Sequence, residues 1–411
     1  MSSTTANCRS CGSADLKLVL SLGRTPLANR LLTDALLGEK EPIFPLELFF
    51  CPKCSLVQIT ESVPPEVLFS DYLYFSSFSD ALLTHARGLV ADVRERKPLG
   101  QANLVVEVAS NDGYLLQYYR DGGVPVLGIE PAQNIAKVAV EKGIPTRAEF
   151  FGDALASRLR SEGVAADVIH ANNVIAHVPD INGFVEGFRI LLADDGIAVV
   201  ETPYVKDMID HREFDTIYHE HLFYYSLTAF QRLFNRHGLR IQDVHRVAIH
   251  GGTLRIFAVH EASSRKTTAA VTALLREEQA WGVDRLDGYA QFGERVANLR
   301  LELTSMLRKL KADGHSIAAY GAAAKGSTLL NYFGIGHDLI DFVVDRSTYK
   351  QGKYMPGVHI PILPPEALLE RTPDYVLLLT WNFATEIIRQ QDAYRQQGGK
   401  FIVPIPELKV V

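Results

Sequence analysis

Four proton-handling side chains occupy consecutive positions in the middle of the chain: Tyr218, His219, Glu220 and His221. A histidine titrates near neutral pH, and a neighbouring carboxylate and phenol can hold its tautomer and tune its basicity. The segment therefore predicts general acid-base catalysis, in which an imidazole takes a proton from a weakly acidic substrate. Two alternatives stay open. One is a metal site, although the chain has no His-Glu-x-x-His signature there, and the other is a purely structural histidine cluster.

The composition is that of a soluble globular protein with two or three domains. The chain has 411 residues, of which 47% are hydrophobic and 22% charged, and a formal net charge of −6. Since it has no basic block, it lacks the electrostatic footprint of proteins that track phosphate backbones, and we expect no nucleic-acid partner. It has neither an apolar run of about eighteen residues nor a basic and then apolar amino terminus, so we expect a cytoplasmic protein without a membrane partner.

The four cysteines form two Cys-x-x-Cys pairs near the amino terminus, Cys8 with Cys11 and Cys51 with Cys54. Four thiolates are the ligands that a closed tetrahedral zinc site needs, whereas disulfides are reduced in the cytosol. Because such a site has no open position, the zinc ion is expected to be structural and to hold together a small domain over residues 1–70. A redox dithiol is the alternative.

An aromatic and hydroxyl-rich stretch, Phe69 to Ser79, precedes a predicted helix from about Asp80 to Arg96. Such side chains suit sugar binding, which makes Tyr72 and Ser76 candidate substrate ligands. Tyr72 could equally be a half-buried packing residue.

The central domain, expected over residues 71–260, opens with a nucleotide-binding βαβ pattern. The run from Asn103 to Leu116 predicts a buried parallel strand, a tight turn and the start of a helix. Only Gly113 remains of the usual glycine-rich turn, so a methyl-donor site is favoured over a pyrophosphate cradle. The pattern resembles class I methyltransferases, in which acids end strands one and two, here Glu107 and Glu130.

Two further strands complete this pattern, strand four from Asp167 and strand five at Ile197 to Pro203. The resemblance implies that S-adenosylmethionine is the cofactor, and that the carboxylate of Glu130 accepts its ribose hydroxyls. The expected cofactor-binding residues are Glu107, Asn111, Gly113, Glu130 and Asn173.

A second strand, small-residue turn and helix are predicted from Ser316 to Leu330. Backbone amides in such a turn can approach an anion, so Lys325 at the helix start and Arg346 after the next strand predict a phosphate site. The alternative is a Rossmann-like scaffold whose Lys325 points into solvent. Before it, residues 262–312 are charged and helical with interruptions at Gly282 and Gly288, and predict a connector, so that residues 261–411 form the third domain.

Together these motifs resemble the bacterial nucleotide-sugar C-methyltransferases similar to dTDP-4-keto-2,6-dideoxyhexose 3-C-methyltransferase. The resemblance covers nearly the whole chain and is carried by the cysteine pairs, Tyr72 to Ser77, Tyr218 to His221, His250 to Arg255 and Tyr320 to Gly326. It implies an α/β protein of three parts: a small zinc-binding module, a central class I methyltransferase Rossmann-like domain and a carboxy-terminal Rossmann-like domain that helps to hold the nucleotide sugar. Ala323 departs from the proline that the resemblance implies.

The resemblance also implies the chemistry. His221 is the expected base, Tyr218 and Glu220 lie beside it, and Tyr72, Asn173 and His177 line the pocket. A ketone at C-4 acidifies the neighbouring C–H bond, so the base can form an enolate that takes the methyl group. Glu220 is expected to support the imidazolium, and Tyr218 or His177 to donate a hydrogen bond to the enolate oxygen.

Further expectations are a nucleotide-sugar partner and a monomeric state. Two other functions stay open: an O-methyltransferase, which would deprotonate a hydroxyl group, and a non-catalytic zinc-ribbon interaction protein.

Overall fold

The computed structural model describes residues 6–61, 63, 75–249 and 251–411. The strands of these residues form three sheets, of four, seven and six strands, in the order of the three predicted parts. No helix in the same residues is long and apolar enough to cross a membrane.

The amino-terminal sheet is antiparallel and begins with three strands. They are β1 (Lys17–Pro26), β2 (Ile43–Phe50) and β3 (Val57–Ile59), with a 3₁₀ helix at Asp34–Leu36. Strand β2 pairs with both others, and its alternate residues Leu46, Leu48 and Phe50 are buried. This period of two is typical of a strand with one face on a core.

Two turns of the same geometry bring the cysteines together. In each, the residue after the second cysteine has a left-handed backbone, Gly12 at φ 74° and Ser55 at φ 60°, and its N–H donates to the carbonyl of the first cysteine at 2.8 Å. The four Sγ atoms all lie within 4.8 Å of one another. Sulfur ligands on a tetrahedral zinc ion, each at about 2.3 Å, are roughly 3.8 Å apart. Cys8, Cys11, Cys51 and Cys54 thus fit the predicted structural zinc site.

The central part of the chain contributes eight strands. They are β4 (Val105–Val108), β5 (Val126–Ile129), β6 (Thr146–Arg147), β7 (Ala166–Asn172), β8 (Leu192–Pro203), β9 (Phe223–Tyr224), β10 (Leu239–Val247) and β11 (Thr253–His260). Seven of them form a sheet in the order β10-β11-β8-β7-β4-β5-β6. Strand β11 is antiparallel to both neighbours, and the other pairs are parallel. The apolar runs that predict strands one, two, four and five form β4, β5, β7 and β8.

The helices of this part cover both faces of the sheet or cap its edges. They are α1 (Asp80–Arg96), α2 (Leu116–Asp121), α3 (Gln133–Glu141), α4 (Asp153–Ser161), α5 (Ile181–Leu191), α6 (Val205–Asp210) and α7 (Leu227–Arg236), with 3₁₀ helices at Ser76–Phe78 and Phe214–Thr216. Helix α1 has the predicted bounds, and the Ser79 side chain caps it by accepting from the N–H of Leu82.

Strand β9 and helix α7 join the central part to the zinc module. Strand β9 pairs with β3 and becomes the fourth strand of the amino-terminal sheet. One turn apart on α7, Arg232 donates to the Ser55 hydroxyl at 2.8 Å and Arg236 donates to the Ser10 carbonyl at 2.7 Å. Each arginine thus holds one cysteine turn.

The predicted connector is a packed part of the core. It consists of α8 (Ala269–Trp281) and α9 (Asp287–Ala312). Gly282 ends α8 in a left-handed conformation, but Gly288 lies inside α9, so the predicted interruption there is wrong. Helix α9 presents a fully buried stripe at helical spacing, formed by Tyr289, Phe292, Val296, Leu299, Leu303 and Leu307. That stripe explains why α9 is unbroken from Asp287 to Ala312.

The carboxy-terminal sheet has strands β12 (Ile317–Tyr320), β13 (Val343–Val344), β14 (Ile362–Leu363), β15 (Tyr375–Leu378), β16 (Lys400–Val403) and β17 (Lys409–Val410). Its helices are α10 (Ala324–Phe333), α11 (Ala367–Arg371), α12 (Ala384–Gln390) and α13 (Asp392–Gln396), with a 3₁₀ helix at Trp381–Phe383. The strand order is β14-β13-β12-β15-β16-β17, parallel except for β17. This is the predicted Rossmann-like arrangement.

We expect one zinc ion per chain, and we expect Cys8→Ser to lower both the metal content and the melting temperature. Removing a ligand leaves an incomplete tetrahedron, and structural zinc contributes directly to folding. Elemental analysis and thermal unfolding of unchelated protein check this. A full zinc equivalent in the variant, or a parent protein without zinc, would contradict the assignment.

Candidate functional site

A cavity of about 640 Å³ opens at the carboxyl edge of the central sheet. Its wall includes Asn111 after β4, Glu130 after β5, Asn173 after β7 and Pro203 at the end of β8. Ligands of open α/β sheets bind outside the carboxyl ends of the strands, where the strand order reverses. The cavity therefore lies where the βαβ pattern predicts a ligand.

Most of the predicted site residues meet in this cavity. Those in its wall are Ser76, Asn111, Glu130, Asn173, His177, Tyr218, Glu220, His221 and Lys325. Tyr72 lies outside the described residues. Glu107, Gly113 and Arg346 do not belong to the described wall, and their predicted ligand contacts stay predictions.

Glu107 and Gly113 shape the loop behind the cavity. Glu107 lies within β4 and is 1% exposed, and burial raises the pKa of its carboxyl group well above the ordinary value. Gly113 has φ +80°, and a Cβ there would lie 2.7 Å from the Ile144 side chain. Glycine is therefore required by both the backbone conformation and the lack of space.

The Glu130 carboxylate organises the same loop from the cavity side. One oxygen accepts from the N–H of Asn111 at 3.0 Å and the other accepts from the N–H of Ala132 at 2.9 Å. The side chain of Asn111 in turn accepts from the N–H of Ser76 at 2.9 Å. Each carboxylate oxygen retains acceptor capacity for a hydroxyl group of a ligand.

His221 has its tautomer fixed by two neighbours from its own segment. Its Nδ1 lies 2.9 Å from the Thr216 carbonyl oxygen, which can only accept, so Nδ1 carries the proton. The Nε2 lone pair then accepts from the Tyr218 hydroxyl at 2.8 Å, and the two ring centroids are 4.1 Å apart. Nε2 is therefore the nitrogen of His221 that can take up a proton.

His177 faces the same ring, with its centroid 4.8 Å from that of His221. Desolvation lowers the pKa of His177 to about 4, against the opposing effect of main-chain hydrogen bonds at Glu220 and Asn173. The imidazole of His177 is therefore neutral at neutral pH and can donate a hydrogen bond without carrying charge.

The Glu220 carboxylate is bound by the amino-terminal module. The side-chain nitrogen of Asn29 donates to both of its oxygens, at 2.8 and 2.9 Å. Burial raises the pKa of Glu220 to about 7, and the Asn29 hydrogen bond opposes this rise. The Thr216 carbonyl orients His221 at Nδ1, and the expected electrostatic support of the imidazolium by Glu220 stays a prediction.

The carboxy-terminal domain holds the same segment from the other side. The Trp381 indole N–H donates to Asp215 at 2.7 Å, and the Thr328 hydroxyl donates to the Ile217 carbonyl at 3.3 Å. The Nζ of Lys325 lies 4.5 Å from the centroid of the Trp381 ring. Burial raises the pKa of Asp215 to about 6, and the charge of Lys325 opposes that rise.

Sequence reasoning missed two polar groups of the wall. Asn172 lies in the cavity wall beside Asn173, and neither its side-chain oxygen nor its nitrogen has a hydrogen-bond partner within the described residues. Two successive amides at the carboxyl end of a buried strand were a usable signal. Asn29 follows β1 in a turn and is far from every motif, so nothing in the sequence pointed to it.

Three family models match the chain in succession. A zinc binding domain matches residues 8–69, a methyltransferase domain matches residues 82–244, and a C-methyltransferase C-terminal domain matches residues 248–406. The C-methyltransferase NovU of Streptomyces niveus is 40% identical over 404 residues, which are 98% of this chain and 96% of that protein. The chain belongs to this family of C-methyltransferases.

Family membership confirms the predicted zinc-binding module, the class I methyltransferase domain and S-adenosylmethionine as the methyl donor. It favours carbon over oxygen as the methylated atom and an enzyme over a non-catalytic interaction protein. The predicted domain boundaries after residues 70 and 260 stay predictions.

Partial overlaps with solved methyltransferases are also found. Magnesium protoporphyrin IX methyltransferase of Synechocystis, solved with its methyl donor, is 12% identical at a TM-score of 0.34, with 47% of this chain and 88% of that chain covered. A methyltransferase of Anabaena variabilis is 14% identical at a TM-score of 0.35, with 42% and 84% covered. Overlaps at these scores carry no argument about the substrate.

In this C-methyltransferase, we expect Glu130→Ala to weaken S-adenosylhomocysteine binding by roughly tenfold or more, because a hydrogen bond to a charged group contributes about 1.5–3 kcal/mol. Glu130→Gln keeps one acceptor oxygen and should fall between the parent and the alanine variant. Titration calorimetry measures both, with melting temperatures as the control for folding. Equal affinity in all three proteins would show that the carboxylate does not contact the donor.

Proposed function

We propose that this C-methyltransferase acts on a nucleotide-linked 4-keto-deoxysugar and places the methyl group on the carbon beside the ketone. The observation that supports this best is the His221 imidazole, whose fixed tautomer presents the Nε2 lone pair inside the cavity. A histidine base of this kind suits a C–H bond that a neighbouring ketone has acidified. We also propose that the nucleotide is dTDP, as the resemblance implies, and that the enzyme is a cytoplasmic monomer.

In the proposed reaction, Nε2 of His221 removes the proton beside the ketone, and the electron pair of that C–H bond forms an enolate. S-adenosylmethionine supplies a methyl group on a positively charged sulfur, where the electrons of the broken C–S bond remain. With both ligands bound, residues of the cavity wall would hold the enolate carbon near the methyl group, so that binding would replace a bimolecular encounter.

The Tyr218 hydroxyl is the favoured donor to the enolate oxygen. Before the reaction it donates to Nε2 of His221. Because Nε2 has a single lone pair, this hydrogen bond must open before Nε2 can take the substrate proton. The freed hydroxyl can then donate to the enolate oxygen as negative charge develops there. A hydrogen bond that forms only at this stage lowers the barrier rather than merely binding substrate. Neutral His177, in the same wall, is the second candidate.

Lys325 is the proposed contact for the diphosphate of the nucleotide. It lies in the first turn of α10, where backbone N–H groups and the helix dipole favour an anion. Its Nζ has no hydrogen-bond acceptor among the described residues, and buried polar groups normally have one. A phosphate oxygen would supply the missing acceptor. Arg346 is exposed and lies outside the described wall, so this argument does not extend to it.

His221→Asn is expected to lower turnover by roughly two orders of magnitude or more, the usual contribution of a positioned base. Deuterium exchange at the carbon beside the ketone, measured without methyl donor by mass spectrometry, should fall in parallel. Both ligands should still bind, because asparagine places a smaller polar side chain in the same space.

The comparison of exchange and methylation separates the alternatives. Exchange at the parental rate in His221→Asn would identify another base. Methylation of a hydroxyl group, or no methylation of any 4-keto nucleotide sugar by the parent, would overturn the proposed substrate.

Lys325→Ala should raise the KM for the nucleotide sugar at least several-fold and leave S-adenosylhomocysteine affinity unchanged, because one charged hydrogen bond to the diphosphate is lost. Lys350→Ala is the matched control, since its Nζ lies against Asp345 and the Ala322 carbonyl outside the cavity wall. If only the Lys350 variant raised the KM, the diphosphate would bind on the β13 side instead.

A further inference from the structure

One residue of the zinc module reaches the catalytic cavity. Among the described residues that line the cavity, Asn29 is the one that comes from residues 6–61. It occupies the turn after β1, where the N–H of Arg30 donates to the Leu27 carbonyl at 3.1 Å. Its side chain is exposed toward the cavity, whereas Glu220 is only 9% exposed. Asn29 and the mostly buried Glu220 thus both line the cavity.

The contact between Asn29 and Glu220 is a paired one. The side-chain nitrogen donates at 2.8 Å to one carboxylate oxygen and at 2.9 Å to the other. Both contacts come from one nitrogen, so the two oxygens share its N–H donor. Such a donor binds a carboxylate more strongly than a protonated carboxyl group, because the acceptor then carries negative charge. The geometry therefore favours the carboxylate form and fixes its plane.

No cation is hydrogen-bonded to this carboxylate in the described part of the chain. Glu220 is flanked on its own segment by His219 and His221, with Tyr218 nearby, and His177 of the central domain contacts its main chain. Lys325 shares the cavity wall from the carboxy-terminal domain. The ring of His219 donates to the Pro45 carbonyl at 3.1 Å, and His221 is committed to Thr216 and Tyr218. Asn29 is therefore the described side chain that binds the Glu220 carboxylate.

We propose that Asn29 is a positioning residue, which keeps the Glu220 carboxylate ionised and oriented beside the His221 base, so that the zinc module sets the proton affinity of the catalytic cluster. An ionised Glu220 favours the imidazolium that forms when His221 takes the substrate proton. The inference rests on the proposed function in assigning that proton transfer to His221. The contact between Asn29 and Glu220 itself does not depend on the substrate.

The turn that carries Asn29 is held at both sides. The cysteine cluster fixes the start of the module, and the carboxy-terminal domain fixes the chain beyond the turn. There Leu32 forms a bridge with Tyr354, whose hydroxyl donates to Asp34 at 2.8 Å, and His359 bonds Glu41 at 2.6 Å. Such anchoring suits a residue whose task is to hold another side chain in one geometry.

The first test is the pH dependence of turnover in Asn29→Ala and the isosteric Asn29→Asp. Loss of the donor removes the interaction that lowers the pKa of Glu220, and the aspartate adds a like charge, so the carboxyl group should ionise at higher pH in both. Activity on the acid side should therefore be lost at a pH about one unit higher in Asn29→Ala, and further in Asn29→Asp. For Asn29→Ala this is roughly a fivefold loss at pH 7, because the parent carboxyl, with a pKa of about 7, is itself half-ionised there. Activity should recover at higher pH, and S-adenosylhomocysteine affinity should not change.

Asn182→Ala is the matched control. Asn182 also joins the zinc module to the central domain, since its amide donates to the Arg9 carbonyl at 2.7 Å, but it is not in the cavity wall. It should leave the pH profile in place. If Asn182→Ala shifted the profile as Asn29→Ala does, Asn29 would act only through the seating of the module, and the proposal would be overturned.

Infrared difference spectroscopy of the protonated-carboxyl band, assigned by its absence in Glu220→Gln, follows the titration of Glu220 without any turnover. The band should persist to higher pH in Asn29→Ala than in the parent. The same titration in both proteins would overturn the proposal. A parent that methylates no 4-keto nucleotide sugar would instead remove the proposed substrate, and the infrared titration would still decide the role of Asn29.

Discussion

The hydrogen bonds that hold the segment from Phe214 to His221 are the constraint on which the rest of the site depends. In the zinc module, the Asn29 amide donates to the Glu220 carboxylate, and the Pro45 carbonyl accepts from the His219 ring. In the carboxy-terminal domain, the Trp381 indole N–H donates to Asp215, and the Thr328 hydroxyl donates to the Ile217 carbonyl. The segment is thus tied to all three parts of the molecule. A side chain that is proposed to accept a proton must be held within a few tenths of an ångström, and hydrogen bonds from several sides can achieve that outside the strands and long helices.

The electrostatics of this junction follow from burial. Glu213, Asp215 and Glu220 all have raised pKa values, with desolvation as the main cause, at about 8, 6 and 7. Lys325 opposes the rise at Glu213 and Asp215, and Asn29 opposes it at Glu220. Between the ordinary carboxyl pKa of about 4 and these raised values, the three carboxyl groups are protonated in the folded state but ionised in the unfolded chain. The free energy of unfolding therefore decreases as the pH rises from about 4 to about 8.

Local patterns were enough to predict the scaffold. Apolar runs predicted β4, β5, β7 and β8, and the cysteine spacing predicted the four-thiol cluster. The four titratable residues from Tyr218 marked a segment that lines the cavity. These features depend on neighbours in sequence, where periodicity and residue type carry the information. The error at Gly288 has the same origin, because a glycine weakens a helix locally while the buried stripe of α9 stabilises it through tertiary packing.

The finer structure of the site depended on contacts between distant segments. The Glu220 carboxylate is hydrogen-bonded by an amide from a turn after β1, and a main-chain carbonyl orients His221. The expected electrostatic support of His221 by Glu220 stays a prediction. A carbonyl has no sequence signature, since every residue carries one. Glu107 lies near the end of a predicted strand, but it is buried and is not part of the described cavity wall. Which face of a sheet a strand residue points to depends on its position in the strand, and a shift of one residue reverses it.

The pairing of β3 with β9 has a consequence for protein synthesis. The first three strands of the amino-terminal sheet leave the ribosome well before β9, and the arginines of α7 that hold the cysteine turns follow later still. Until then the edge of β3 presents unpaired N–H and C=O groups, which can pair with other chains. The module that is translated first is therefore completed late, and the nascent chain passes through a long stage in which protection by a chaperone matters most.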